Sequence, residues 1–231
     1  MRSKIAKTTC VGRYERLHAF GDHIKASVLP SQEIAVLSRT LDSVVTQTFA
    51  SPWETVTFFD FAIMAAFKAA IKKGSATPEE AYAIFDALET VPIDFMLGTW
   101  KGSEFYTGHL MDGKLESSSW YGKRFNGVDQ VDPLMFNAND GGIFACDPVA
   151  AFMNAEARIP DIQEKVETHQ PAARLRTVVT RGEPTAAMIY NQLPIIDFFR
   201  KVDDNTVLGL MDNPTIPGHN FFFVLRRAES G

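Results

Sequence analysis

Two short stretches carry the side chains best suited to moving a proton. The first reads Ser-Trp-Tyr-Gly-Lys-Arg-Phe (119–125) and the second Met-Ile-Tyr-Asn-Gln-Leu-Pro-Ile-Ile-Asp-Phe-Phe-Arg-Lys (188–201). Strand alternation puts Tyr121, Lys123 and Phe125 on one face and Trp120, Gly122 and Arg124 on the other. In the second stretch Asp197 shares a face with Phe199, while Arg200 lies with Ile196 and Phe198. Each candidate has apolar neighbours on its own face. Closed around a cavity, such strands would set Tyr121 and Lys123 on one wall, facing Tyr190 and Asp197. A buried lysine loses its proton more readily, and a carboxylate among apolar groups needs a partner. Lys123 or Tyr121 is therefore expected to hydrogen-bond a substrate carbonyl or developing oxyanion. Asp197 is expected to take a proton or hold the donor in place. The opposite face offers Trp120 with Arg124, an anion-binding pair. His109, in Thr-Gly-His-Leu-Met-Asp-Gly-Lys (107–114), falls at a turn with Asp112 and is the fourth catalytic candidate. Trp100, Trp120, Tyr190, Phe199, Arg200 and Phe223 are expected to contact the substrate.

Other chemistries lack their signatures. There is no P-loop, no dinucleotide-binding glycine pattern after a strand, no Gly-x-Ser-x-Gly elbow and no His-Glu-x-x-His. His18, His23, His169 and His219 show no metal-ligand spacing, so neither a metal nor an organic cofactor is expected. The 231 residues carry a net charge of -5, which disfavours a nucleic-acid partner. Two cysteines, Cys10 and Cys146, are too few for a disulfide framework. No run approaches the roughly 18 apolar residues of a membrane span. The expected setting is cytoplasmic and the expected partner a hydrophobic small molecule; a homodimer is left open.

The elements that must position these residues change character near residue 92. Upstream the pattern is helical, with helices expected at 31–49, 52–72 and 78–89. Ser51-Pro52-Trp53-Glu54 and Thr77-Pro78-Glu79-Glu80 have the form of capping boxes. Downstream, alternation predicts strands at 95–106, 115–126, 133–138, 143–147, 174–181, 185–192, 195–202, 206–212 and 220–227, separated by turn signals. Residues 148–172, with three prolines, read as a partly helical crossover or lid. The expected fold is mainly β with N-terminal helices (α+β): a helical segment over 1–91 acting as a lid, and an antiparallel meander barrel of eight or nine strands over 92–231.

One motif ties the strands to a known architecture. In Leu-Gly-Thr-Trp-Lys-Gly (97–102) the residues Gly98, Trp100 and Gly102 share a face, so a bulky indole sits between positions that allow close backbone approach. This resembles the calycin signature of lipocalins and intracellular fatty-acid-binding proteins. The resemblance implies that an arginine of the last strand, Arg226 or Arg227 in Phe-Phe-Phe-Val-Leu-Arg-Arg, covers Trp100 by a cation–π contact. A closer resemblance spans more of the chain. FMLGTWKG, GHLMDG, SWYGKRF and DPLMF resemble the GXWXG family, over about 80–140. AAMIYNQLPIIDFFRKVDDNTVLGLMD with FFFVLRR resembles the DUF4334 family, over about 172–228. These resemblances imply a lipocalin-like barrel and leave the chemistry open. One reading is a cofactor-independent enzyme of specialised metabolism that folds a hydrophobic substrate for cyclisation, isomerisation or dehydration, as lipocalin-like pericyclases of the Diels–Alder type do. The other is a carrier of a lipid, terpenoid or haem.

Overall fold

The computed structural model describes residues 64–228. The chain divides into two units, 1–69 and 70–231. Residues 64–73 are helical, and every described strand lies in the second unit. The helices expected at 31–49 and over most of 52–72, with Cys10, His18 and His23, lie outside the described residues.

Eight strands close into an antiparallel barrel. They are β2 (Gly98–Glu104), β3 (Trp120–Gly127), β4 (Gln130–Asn137), β6 (Ala173–Thr180), β7 (Glu183–Tyr190), β8 (Ile196–Asp203), β9 (Thr206–Asp212) and β10 (Phe221–Arg227). Each pairs with the next, and β10 returns to β2, so the meander leaves no free edge. Two short strands are added to it: β1 (Glu89–Thr90) on β8 and β5 (Ile143–Ala145) on β4. The tight hairpin between β6 and β7 has left-handed backbone at Arg181 and Gly182, which matches the twist of the flanking strands. The weakest seam joins β4 to β6 through the single pair Val131 and Ala173. Residues 146–172 intervene there with helical turns α4 (Pro148–Met153) and α5 (Gln163–Val166) and a 3-10 turn at Ile159–Ile162.

Trp100 plugs one end of the interior. It is fully buried, and its Nε1 donates to the Met96 carbonyl at 2.7 Å. That carbonyl ends α2 (Ile93–Met96). The Arg227 guanidinium lies 4.3 Å from the indole centroid and donates to the carbonyls of Leu97 and Phe95, both at 2.8 Å. The expected closure is therefore present and uses Arg227; Arg226 turns to the Ser103 hydroxyl instead. Gly102, on the same face as Trp100, makes room for a second indole: a Cβ there would lie 2.0 Å from the Trp120 ring.

Helix α1 (Pro78–Ala87) begins with the expected capping box, in which Thr77 and Glu80 exchange backbone-to-side-chain hydrogen bonds. Its buried face packs on the outer wall of the barrel, where Tyr82 and Phe85 meet Phe222 edge-on. Arg200 sits under this helix, 2% exposed, with its guanidinium 5.4 Å from the Phe85 ring. Arg200 thus belongs to the outward face of β8 and does not line the interior, contrary to its expected substrate contact. The strand expected from 115 starts at Trp120 instead. Buried Glu104 accepts the backbone N–H groups of Gly113, Leu115 and Glu116, which winds Lys114–Ser117 into a helical turn, α3.

Candidate functional site

The site is shaped by an irregularity in β3. Its pairing with β4 shifts on either side of Gly122: Trp120 is opposite Phe136, but Gly122 is opposite Met135. Such a bulge breaks strict alternation. Only glycine fits this point, because a Cβ on residue 122 would lie 2.0 Å from the Trp100 carbonyl oxygen, and φ is +150°. Trp120 and Lys123, three residues apart, consequently both reach the interior, while Tyr121 between them is half-buried and lines no part of the cavity. The bulge therefore overturns the expected pairing of Tyr121 with Lys123. It also splits the alternative pair: Trp120 points inward, whereas Arg124 binds Asp132 at 2.8 Å beside a separate polar hollow.

Lys123 and Asp197 come together as expected. The ammonium lies 2.8 Å from Asp197 Oδ2, with the two side chains 3% and 1% exposed. Lys123 also donates to the Pro133 carbonyl at 3.1 Å. Three aromatic rings surround the ammonium, with centroids at 5.0 Å (Phe223), 5.6 Å (Trp120) and 5.7 Å (Tyr190). Asp197 Oδ2 meets the ammonium, while Asp197 Oδ1 has no hydrogen-bond partner among the described residues. Burial raises the Asp197 pKa above the usual carboxylate value, and the Lys123 charge opposes that rise. Burial first, and then the Asp197 charge, hold the Tyr190 phenol well above its ordinary value, so it keeps its proton.

These groups lie at the base of a cavity of about 110 Å³. Its walls include Trp120, Leu134, Phe136, Tyr190, Met211, Phe221 and Phe223, and its mouth lies between Lys114–Leu115 and Phe152–Ala155. An exposed ion pair joins the two rims, Lys114 Nζ to Glu156 Oε1 at 3.2 Å. Of the expected substrate contacts, Trp120, Tyr190 and Phe223 line this space. Trp100 and Phe199 belong to the packed core around it, Phe199 edge-on to Phe125 and Phe223.

His109 is placed elsewhere. Its ring is buried against His219 and Phe221, and its Nδ1 accepts the N–H of Met111 at 3.1 Å. Desolvation, then the neighbouring His219, push its pKa down, which favours the neutral ring. Asp112 Oδ2 gathers the N–H groups of Thr107, Gly108 and His109. The pair therefore shapes its loop and does not line the cavity. Among the described residues no group of three or more His, Cys, Asp or Glu side chains could hold a metal ion, and no helix is long and apolar enough to cross a membrane. Cys146 is a buried free thiol, its pKa raised to about 12 by desolvation.

Sequence reasoning missed several lining residues. Phe221 was within reach, since it shares the face of Phe223 two positions on. The Lys114–Glu156 pair had no signal, because both rims come from segments without periodicity.

The chain matches two protein families: "GXWXG protein" over residues 83–141 and "Domain of unknown function (DUF4334)" over 171–227. It is also similar to a crystal structure of a protein from Thermomonospora curvata, with 35% identity and a TM-score of 0.58, covering 73% of this chain and 99% of that one. No curated protein matches. Trp100, Trp120 and Lys123 fall in the first matched segment, and Tyr190, Asp197 and Phe223 in the second. The chain belongs to the family that carries a GXWXG segment and a DUF4334 segment, and here the two matched segments contribute strands to one barrel.

Proposed function

We propose that the protein is a cofactor-independent enzyme that admits the reactive end of a small hydrophobic carbonyl compound and moves a proton on it. The observation that carries this reading is the Lys123–Asp197 ion pair at the base of an apolar cavity. Asp197 removes a proton from the carbon beside the carbonyl; the C–H pair flows into an enolate, whose oxygen is held by Lys123 and the Tyr190 phenol. Return of the proton to another carbon isomerises the substrate. Attack of the enolate on an internal electrophile closes a ring. The apolar walls exclude water, which strengthens each of these interactions. A carrier of haem or of a whole lipid is less well served, because a cavity of about 110 Å³ is small beside the roughly 300–1,000 Å³ of ordinary ligand pockets.

The test is exchange of carbon-bound protons of cyclohex-2-enone in deuterium oxide, followed by NMR. Wild-type protein should exceed buffer, and Asp197→Asn should lose about 10²–10⁴-fold of the rate. The raised Asp197 pKa fixes the sign of the pH dependence. Only the carboxylate acts as base, so the rate should climb as pH rises through a value above the ordinary carboxylate range. Wild-type exchange no faster than buffer, or equal rates in wild type, Asp197→Asn and Lys123→Met, would sink the proposal.

A further inference from the structure

Apart from Asp197 Oδ2, which meets Lys123 at 2.8 Å, two polar atoms of the cavity lining have no hydrogen-bond partner among the described residues: Asp197 Oδ1 and Trp120 Nε1. Both side chains are more than nine-tenths buried. Buried polar groups are almost always paired, with protein or with ordered water, and a pair of orphans in one cavity marks the point where an incoming molecule takes the place of water by answering both. One is an acceptor and the other a donor. We infer that the cavity is built for a neutral molecule bearing a hydroxyl, which donates its proton to Asp197 Oδ1 and accepts the Trp120 indole N–H. A hydroxyl is the smallest group that offers both functions from a single atom.

The alternatives leave something unmet. A carboxylate offers only acceptors and would set a second negative charge beside Asp197. The cation that could attract it, Lys123, is already neutralised at 2.8 Å. An ammonium would crowd a second cation against Lys123. A hydrocarbon satisfies neither orphan. Size adds a limit, since a dry engineered cavity of about 150 Å³ takes one benzene ring. The 110 Å³ here suits one ring or a short chain end, with the remainder of a larger molecule resting at the mouth against Met111 and Phe152.

This inference rests on the cavity being the binding site proposed above, but not on proton transfer taking place in it. The test is a ¹⁹F NMR titration of the full chain with 4-fluorophenol, its near-isostere 4-fluorotoluene, and 4-fluorobenzoate. 4-Fluorophenol should bind at least tenfold more tightly than either. In the Lys123→Met/Asp197→Leu double variant, which leaves no charge stranded, the preference should reverse towards 4-fluorotoluene. Trp120→Phe keeps a ring and loses the donor, so 4-fluorophenol should weaken about fivefold while 4-fluorotoluene does not. Equal wild-type binding of the phenol and the toluene, tightest binding of the benzoate, or no binding of any of the three overturns the hydroxyl assignment. A hydroxyl preference without enone exchange upholds it and removes the proposed chemistry alone.

Discussion

Trp100 and Trp120 are both buried, on adjacent strands of the same barrel, and they are treated in opposite ways. Around Trp100 the hydrogen bonds are complete: its N–H has the Met96 carbonyl, and the arginine across its face has two carbonyls of its own. Around Trp120 they are not. Its N–H has no partner among the described residues, and Asp197 meets Lys123 through Oδ2 while Oδ1 is left without one. The difference separates a region built to hold the barrel from a region that retains unmet polar groups. A protein selected only for stability has no reason to keep a lysine and an aspartate where two apolar side chains would pack, since such pairs often contribute no net stability.

Four substitutions, two of them also combined, bear on that contrast. Trp100→Ala should have the largest effect, destabilising the chain by about 3–5 kcal/mol in denaturant unfolding through the cavity it leaves. A loss below about 1 kcal/mol would mean that Trp100 is not the plug. Lys123→Met comes next. It strands the Asp197 carboxylate in an apolar interior and should cost about 3 kcal/mol, whereas Lys123→Met with Asp197→Leu should be neutral or stabilising. If the double variant is as unstable as the single one, the pair is a structural element and the contrast collapses. Tyr121→Phe should change least, within about 0.5 kcal/mol in stability and without a change in enone exchange, because its side chain lies outside the cavity. A hundredfold loss of exchange there would restore it to the site.

The legible part of the sequence is the part that alternation can carry. It reached the meander and the meeting of Lys123 with Asp197, because these depend on residues two apart sharing a face; the arginine over Trp100 came from the resemblance to calycins instead. It failed at Tyr121, because the extra residue at Gly122 resets the alternation, and the close approach that demands a glycine there is a contact with another strand. It failed at Arg200 for a different reason. Alternation sorts β8 into two faces but does not say that α1 covers one of them, so a buried cation on the outer wall reads like one in the cavity. His109 lies away from the cavity because a rim loop can be held by its own hydrogen bonds, and residue types alone do not say which way its ring turns.

The ion pair also has a bearing on inheritance. Lys123 lies in the matched segment 83–141 and Asp197 in the matched segment 171–227. Neither segment holds both charges, and each closes part of the other's barrel wall. A recombination event that paired one segment with a stranger would leave an ion buried without its counterion, at a cost of about 3–5 kcal/mol, a large part of what keeps a domain folded. Beside the β2–β10 pairing and Arg227 over Trp100, this contact between a lysine and an aspartate 74 positions apart ties the two stretches to each other.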